Sequence, residues 1–262
     1  QHAAAAIMTT DTRAKIRSVE VNEGGQRFAV TGIAKGSGMI KPDMATMLGY
    51  VATDAKVAPA VWKAIAARAT DVSFNRITVD GDTSTNDALV LMATGAADMP
   101  VIDSPQHPLY AHLAAAVEAV CIGLAQDIIR DGEGATKFIT VRVSGGYSER
   151  DCVRVAYAVA ESPLVKTAMF ASDANWGRIL AAVGRAGAEQ LAIEEVNLAI
   201  GGLPIVIGGE PAPGYTEAEG SAIMKKPEID IDITIGRGAE SATVWTCDFS
   251  YDYVKINAEY RS

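Results

Sequence analysis

The sequence predicts an α+β fold, because segments of two-residue hydrophobic alternation are interleaved with long segments of helical periodicity. Residues 17–22 and 27–33 alternate apolar and polar side chains, and the Asn-Glu-Gly-Gly segment at 22–25 is typical of a hairpin turn. Residues 107–130 instead repeat apolar side chains at three- and four-residue steps, as one face of a helix does. Together, local strand pairing and long helices favour a layered architecture.

The other strands are predicted from short apolar or alternating runs bounded by turn-forming residues. Loops rich in glycine, proline and hydroxyl side chains are expected at residues 35–43, 80–87 and 208–214. In chain order, the predicted strands cover residues 17–22, 27–33, 47–53, 77–79, 88–93, 138–144, 195–200, 203–207, 228–235, 242–249 and 252–258.

Helices are predicted from spacing, composition and capping residues. Pro59 is tolerated in the first turn of a helix, and glycines that follow residue 130 are suited to end the longest one. Ser148 and Asp151 resemble the capping box that opens a helix. The predicted helices cover residues 58–69, 107–130, 148–161 and 175–187.

Charge and composition exclude several classes of function. A net charge of −9 leaves no basic surplus for nucleic-acid phosphates, so no nucleic-acid partner is expected. No 18-residue window is unbroken in apolar residues, so no membrane partner is expected either. Cys121, Cys152 and Cys247 are odd in number and far apart, which suits reduced thiols in a cytoplasmic protein. Neither cysteines nor histidines have metal-ligand spacing, and we expect no metal and no resident cofactor.

The chain opens on Gln-His-Ala-Ala-Ala-Ala, with neither an initiator methionine nor the layout of a signal peptide. We therefore interpret it as a fragment that lacks its natural N-terminal portion.

Thr46 lies where the glycine-rich loop meets an apolar strand, and the position allows two interpretations. A β-branched residue commonly begins a strand. Alternatively, the Thr46 hydroxyl attacks the carbonyl of Ala45 and cuts the chain, which leaves an α-amine on Thr46 as the base for its own hydroxyl.

Several blocks along the chain resemble the ornithine acetyltransferase family, the glutamate N-acetyltransferases of arginine biosynthesis, and they occur in the family's order. Because they extend over nearly the whole chain, the resemblance favours the nucleophilic interpretation of Thr46. The blocks are IMTTDT at 7–12, KGSGMI at 35–40, DMATML at 43–48, residues 80–87, DGEGA at 131–135, DANWGR at 173–178, and residues 246–248 and 253–262.

The resemblance implies a layered α-β-β-α architecture of the self-processing aminopeptidase/ornithine acetyltransferase type. It also implies cleavage between Ala45 and Thr46, so that residues 1–45 are the tail of an α chain and 46–262 are a β chain with Thr46 as its catalytic N-terminal nucleophile. The implied reaction moves an acetyl group from N-acetylornithine to glutamate through an acetyl-threonine intermediate. The α and β chains would associate as a heterotetramer, and the sequence leaves open whether acetyl-CoA also serves as a donor.

The family's substrate contacts correspond here to Thr9, Lys35, Thr46, Glu133, Asn257 and Ser262. An ammonium group at Lys35 suits the α-carboxylate that both substrates carry, although a lysine in a glycine-rich loop is often only solvated. Glu133 follows a helix end, where the helix dipole does not favour a carboxylate, so a role in binding the distal amine of ornithine is plausible. Asn257 and Ser262 belong to a tail that the predicted strand 252–258 would carry inward.

Two alternatives stay open at this stage. One is a self-processing aminopeptidase with the same kind of N-terminal nucleophile, which would hydrolyse its substrate rather than transfer a group from it. The other is a truncated chain that folds and associates without catalysis, because the absent α-chain portion would supply oxyanion donors.

Overall fold

The structure, a computed structural model, describes residues 2–41, 47–83 and 87–259. It confirms the α+β class, because helices accompany two mixed β-sheets. The helices are α1 His2–Ala6, α2 Pro59–Asp71, α3 Tyr110–Arg130, α4 Glu149–Ala160, α5 Pro163–Phe170, α6 Trp176–Gly184, α7 Glu217–Met224 and α8 Tyr251–Glu259. The strands are β1 Lys15–Glu23, β2 Gln26–Lys35, β3 Leu48–Thr53, β4 Ala88–Ala93, β5 Phe138–Gly146, β6 Asn197–Ile200, β7 Leu203–Ile207, β8 Glu210–Pro211, β9 Glu228–Thr234 and β10 Glu240–Cys247.

The chain divides into two compact units, Gln1–Gly132 and Glu133–Ser262. This division follows packing within each unit, and it is separate from the boundary between residues 45 and 46 that the family resemblance implies. Each unit contributes one sheet with helices packed on it, as a layered α+β protein requires.

The first unit contains the predicted hairpin and a sheet in the order β1-β2-β3-β4. β1 and β2 pair antiparallel, β2 and β3 pair antiparallel, and β3 and β4 pair parallel. The predicted long helix is α3, which packs on β1 and β2. Gly32 in β2 allows this approach, because a Cβ there would lie 2.8 Å from Leu124 Cδ1 and 2.9 Å from Val120 Cγ1.

By length and composition alone, α3 is apolar enough to cross a membrane, and it is the one such helix among the described residues. Half of its most apolar window (50%) is buried within the protein. Its buried stripe faces the sheet, which is the arrangement of a core helix.

The second unit is built on a sheet in the order β10-β5-β9-β6-β7-β8. β5 and β9 pair parallel, whereas the other neighbouring strands pair antiparallel. α4 packs on β5 and β10, and its first turn confirms the predicted capping box. There the Ser148 hydroxyl accepts a hydrogen bond of 3.1 Å from the Asp151 backbone N–H.

The strand prediction for residues 252–258 is wrong, because this segment is the helix α8. Val254 is 63% exposed and Ile256 is 37% exposed, so their alternation with polar residues does not mark a buried strand face. The Ser250 hydroxyl accepts a 3.3 Å hydrogen bond from the Tyr253 N–H and so caps the start of the helix.

Residues 77–79 also form no strand of the two described sheets. A 3-10 turn at Phe74–Arg76 precedes them, and the Val79 N–H donates a 2.7 Å hydrogen bond to the Ile40 carbonyl. The short helices α1, α5 and α7 are absent from the sequence prediction, because none is long enough to show a periodic apolar stripe.

A buried charge network ties the start of β1 to the end of α3. The Lys15 ammonium nitrogen lies 2.5 Å from Asp11 Oδ1 and 2.5 Å from Asp131 Oδ2, and Lys15 is only 2% exposed. Asp131 also accepts hydrogen bonds from the backbone N–H (3.1 Å) and the hydroxyl of Thr12. Buried charges are tolerated when they are paired and hydrogen-bonded in this way, so Lys15 fixes the segment that precedes β1.

We expect the substitution Lys15→Met to lower the free energy of unfolding by about 3–5 kcal/mol near neutral pH, because it leaves two buried carboxylates without their cation. Urea unfolding of the two proteins measures the difference. The pKa of Asp11 is lowered in the fold, so the network contributes stability above the pKa of an unfolded aspartate and loses it as the pH falls. The deficit of the variant should therefore shrink in acid.

Arg17→Met is the matched control, because Arg17 pairs with Asp127 at 2.6 Å but its side chain is 47% exposed. An exposed pair of this kind contributes up to about 1 kcal/mol. Equal losses in the two variants would contradict a stabilising role for the buried network.

Candidate functional site

One buried carboxylate in the first unit, that of Asp11, binds the backbone of the predicted contact Thr9 and of Gly36, which follows the predicted contact Lys35. Asp11 Oδ2 accepts a 3.1 Å hydrogen bond from the Thr9 N–H, and Oδ1 accepts a 2.8 Å bond from the N–H of Gly36, the residue after Lys35. Burial alone would raise the pKa of Asp11, but the Gly36 N–H, the Lys15 ammonium and the Thr9 N–H together hold it below its ordinary value. Asp11 is therefore a structural anion that brings the two predicted contacts together.

Lys35 ends β2 at the edge where β3 begins. Its register partner is Leu48, the first residue of β3 and the second residue after Thr46. The side chain is half-buried, and its charge acts on the carboxyl group of Asp87. Its surroundings therefore differ from those of a fully solvated surface lysine.

Asp87 lies immediately before β4. It is close to Met47, the first residue after Thr46 that the structure describes. The N–H of Ala88 donates a 3.0 Å hydrogen bond to the carbonyl of Met47, where the parallel pair of β3 and β4 begins. Met47 and Asp87 line a cavity of about 110 Å³ together with Thr70, Phe74, Asn75, Ala88 and Leu89.

The carboxyl group of Asp87 is in an unusual environment. Both of its oxygens are buried, and neither makes a hydrogen bond of ordinary length and angle. Burial raises its pKa to about 7, although the Lys35 charge and the facing Met47 N–H act in the opposite direction. From sequence, Asp87 is only part of an acidic loop without the calcium-binding pattern, so its significance depends on the fold.

In the second unit, the structure brings Glu133 and Asn257 into contact. The Asn257 amide nitrogen donates a 3.1 Å hydrogen bond to Glu133 Oε2 and a 3.0 Å bond to the Tyr253 carbonyl. Asn257 occupies this place from α8, and not from the strand that the sequence predicts. The pair presents one carboxylate and one amide at a partly exposed surface, which suits a ligand with an ammonium group.

Gly134 allows the chain after Glu133 to lie directly against α8. Its φ angle is +68°, and a Cβ at this position would lie 2.3 Å from the Tyr253 nitrogen. The Ser250 hydroxyl, which caps α8, also donates a 2.6 Å hydrogen bond to the Gly134 carbonyl. Only glycine fits this approach, so Gly134 sets the distance between Glu133 and Asn257.

Ala45, Thr46 and Ser262 lie outside the described residues. The structure therefore places four of the predicted site residues, two in each unit: Thr9, Lys35, Glu133 and Asn257. Within the described ranges, no group of three or more histidine, cysteine or carboxylate side chains is arranged to hold a metal ion.

Comparison with known proteins identifies the class to which this fold and these residues belong. The model of the ArgJ family matches residues 1–262, and the chain belongs to that family. This confirms the resemblance that the sequence blocks indicate.

Particular relatives carry the name arginine biosynthesis bifunctional protein ArgJ. The protein of Psychrobacter arcticus is 59% identical over 260 residues, and that of Pseudomonas fluorescens is 55% identical over 260 residues. Each alignment covers 99% of this chain and 64% of the relative. The chain therefore spans slightly less than two thirds of the length of these proteins. A crystal structure of the ArgJ protein from Bacillus halodurans is 42% identical with a TM-score of 0.78, and the match covers 82% of this chain and 100% of that one.

We expect Gly134→Ala to loosen α8 as well as strain the backbone, because the added methyl group would occupy the place of the Tyr253 nitrogen. Urea unfolding and hydrogen–deuterium exchange of α8 measure the two effects. Gly24→Ala is the matched control, since Gly24 has a φ of +56° but open space around its Cβ position. Both variants share the left-handed penalty of about 1–2 kcal/mol, and faster exchange in α8 is expected only for Gly134→Ala. Identical exchange in both would contradict the role assigned to Gly134.

Proposed function

We propose that the chain is part of an acetyltransferase that moves the acetyl group of N-acetylornithine to glutamate in arginine biosynthesis. The observation that carries this proposal is the match of the ArgJ family model over residues 1–262, which include the Ala45–Thr46 pair. The names of the relatives, which refer to arginine biosynthesis, support the same pathway.

In the proposed mechanism, the protein first cuts itself between Ala45 and Thr46. The new α-amine of Thr46 then accepts the proton of its own hydroxyl while the oxygen attacks the acetyl carbonyl. Ornithine leaves, an acetyl ester remains on Thr46, and the amine of glutamate takes the acetyl group. Two half-reactions through a covalent intermediate give ping-pong kinetics.

The extent of the structural match is compatible with this cleavage. The match to the crystal structure from Bacillus halodurans covers 82% of this chain and 100% of that chain. That share is close to the part of this chain that follows residue 45, which is the proposed β chain.

The substrate contacts follow from charge. Lys35 is proposed to bind the α-carboxylate that both substrates carry, and Thr9 is hydrogen-bonded to the same Asp11 carboxylate as Gly36, the residue after Lys35. Glu133 and Asn257 are proposed to bind the distal amine of ornithine, which matches the carboxylate and amide pair in the second unit. Thr46 and Ser262 complete the proposed substrate contacts.

Other properties of the proposed enzyme follow from the family resemblance. The α and β chains would assemble as a heterotetramer in the cytoplasm, without a resident cofactor, and acetyl-CoA is a candidate second acetyl donor. Because the chain spans 64% of its curated relatives, residues in the rest of those proteins would supply the oxyanion donors.

Substitution of Thr46 tests the proposal in the full-length protein. We expect Thr46→Ala to leave the chain intact and to abolish acetyl transfer, because the nucleophilic oxygen is absent. Thr46→Ser keeps that oxygen and should retain cleavage and part of the activity. Mass spectrometry follows the Ala45–Thr46 bond, and labelled N-acetylornithine with glutamate follows the acetyl group. Full transfer by Thr46→Ala would overturn the proposal, and release of acetate in place of N-acetylglutamate would favour a hydrolase.

Glu133→Gln tests the assignment of the ornithine subsite. We expect kcat/KM for N-acetylornithine to fall by roughly 10- to 100-fold, which corresponds to a lost charge-assisted hydrogen bond of about 1.5–3 kcal/mol. Transfer from pre-acetylated enzyme to glutamate should change much less. Glu259→Gln, an exposed residue on the same helix as Asn257, is the control and should leave both half-reactions unchanged. Equal effects of Glu133→Gln on both half-reactions would contradict the assignment.

A further inference from the structure

Asp248 is a fully buried carboxylate that the proposed catalytic steps do not use. It lies between the end of β10 at Cys247 and the start of α8 at Tyr251, and its exposed fraction is 0%. It belongs to residues 246–248, one of the blocks by which the chain resembles the family. Burial of a carboxylate costs free energy unless hydrogen bonds or a cation compensate for its lost hydration. The groups that compensate Asp248 therefore indicate its role.

The hydrogen-bond donors to Asp248 come from the segment that follows Glu133. Asp248 Oδ1 accepts a 2.8 Å hydrogen bond from the Thr136 N–H and another of 2.8 Å from the Lys137 N–H, and Oδ2 accepts one from the Thr136 hydroxyl. Hydrogen bonds to a charged acceptor are about twice as strong as those between neutral groups. Three of them on one carboxylate fix this segment against the residue that leads into α8.

The cation that interacts with Asp248 is itself held in place. The Lys137 ammonium donates hydrogen bonds to the carbonyls of Met169 (2.5 Å) and Met224 (2.6 Å) and to the Ser172 hydroxyl (2.8 Å). Burial lowers the pKa of Lys137, and the charge on Asp248 acts in the opposite direction. The last turns of α5 and α7 therefore fix the ammonium group, and its attraction to Asp248 offsets part of the burial of both charges.

A second contact, two residues further along the chain, completes the connection. The Ser250 hydroxyl donates a 2.6 Å hydrogen bond to the Gly134 carbonyl, so the segment that leads into α8 holds the chain after Glu133 at two points. Asn257 lies on α8, and its 3.1 Å hydrogen bond to Glu133 joins the far sides of the same two segments. The separation of this carboxylate and this amide therefore depends on the contact at Asp248.

We propose that Asp248 is a positioning residue for the ornithine subsite, which holds Glu133 and Asn257 at the separation that binds the distal amine. Because it is fully buried, Asp248 acts through Glu133 and does not touch the substrate. This proposal rests on the proposed function, because it assumes that Glu133 and Asn257 bind ornithine. Binding of a small ammonium group depends on the placement of its partners, and a displacement of about 1 Å can lower a rate by about 100-fold.

The test measures the two half-reactions of the full-length protein separately. We expect Asp248→Ala to lower kcat/KM for N-acetylornithine by roughly 10- to 100-fold, mainly through KM, because the segment after Glu133 loses its anchor. Transfer from pre-acetylated enzyme to glutamate should change much less. Asp248→Asn keeps an acceptor oxygen for the two backbone N–H groups and should restore part of the lost kcat/KM. A residue that only stabilises the fold would affect both half-reactions alike.

A double-variant cycle tests whether Asp248 acts through Glu133. If it does, the protein with both Asp248→Ala and Glu133→Gln should have a kcat/KM for N-acetylornithine within about 2-fold of that of Glu133→Gln alone. Independent effects would instead multiply to a total loss of roughly 100- to 10⁴-fold. A multiplied loss would overturn the proposal.

Thr136→Val provides a smaller change if Asp248→Ala does not fold, as judged by thermal unfolding. It removes the hydroxyl contact and keeps both backbone donors, so we expect a loss of kcat/KM of about 2- to 10-fold that is absent in the Glu133→Gln background. Thr167→Val is the matched control, because the Thr167 hydroxyl donates to the Pro163 carbonyl within α5 instead, and it should keep the wild-type value. In that case, a Thr136→Val protein with the wild-type kcat/KM would overturn the proposal.

The outcomes separate this proposal from the one on which it rests. A Glu133→Gln protein with an unchanged kcat/KM for N-acetylornithine would overturn the assignment of the ornithine subsite, and the role of Asp248 with it. A reduced value in Glu133→Gln, together with equal effects of Asp248→Ala on both half-reactions, would overturn only the role of Asp248.

Discussion

The ammonium group of Lys15 lies between the carboxylates of Asp11 and Asp131, and the arrangement of the first unit depends on this buried contact. The network fixes the chain before β1 to the end of α3. The same Asp11 carboxylate accepts hydrogen bonds from the backbone at Thr9 and Gly36, so a fixed anion determines where the predicted substrate contacts lie. A buried ion pair is weak evidence for stability, but it is a specific device for holding two segments in one geometry.

Much of the fold could be predicted from the sequence where one local signal decides the structure. The hairpin of β1 and β2 follows from alternation and a glycine turn, and α3 from a stripe repeated over several turns. The prediction for α8 is wrong, because Val254 and Ile256 alternate like a strand although neither is buried. The structure shows that Ser250 caps this helix, and a single hydroxyl is a weaker signal in the sequence than an alternating pattern.

The candidate site could be predicted where residue type and family resemblance agree, and not where burial decides. Glu133 and Asn257 are indicated by resemblance, and the structure adds that the two side chains are hydrogen-bonded. Asp87 has no such signal, because an aspartate in an acidic loop is usually solvated. Its burial results from the packing of α2 and the turn Phe74–Arg76 around the start of β4, which no local pattern in the sequence encodes.

The two aspartates of the first unit show how environment assigns different chemistry to the same side chain. Asp11 is buried with three donors that hold its pKa low, so it stays ionised and acts as a fixed charge. Asp87 is buried with no hydrogen bond of ordinary length and angle, and burial raises its pKa to about 7. Pairs of like groups whose pKa values are pushed apart commonly divide structural and proton-transfer roles between them. Lys35 connects the two environments, because its backbone neighbour Gly36 donates to Asp11 while its charge acts on Asp87. The cation proposed to bind substrate thus also lowers the pKa of the neighbouring Asp87 carboxyl group.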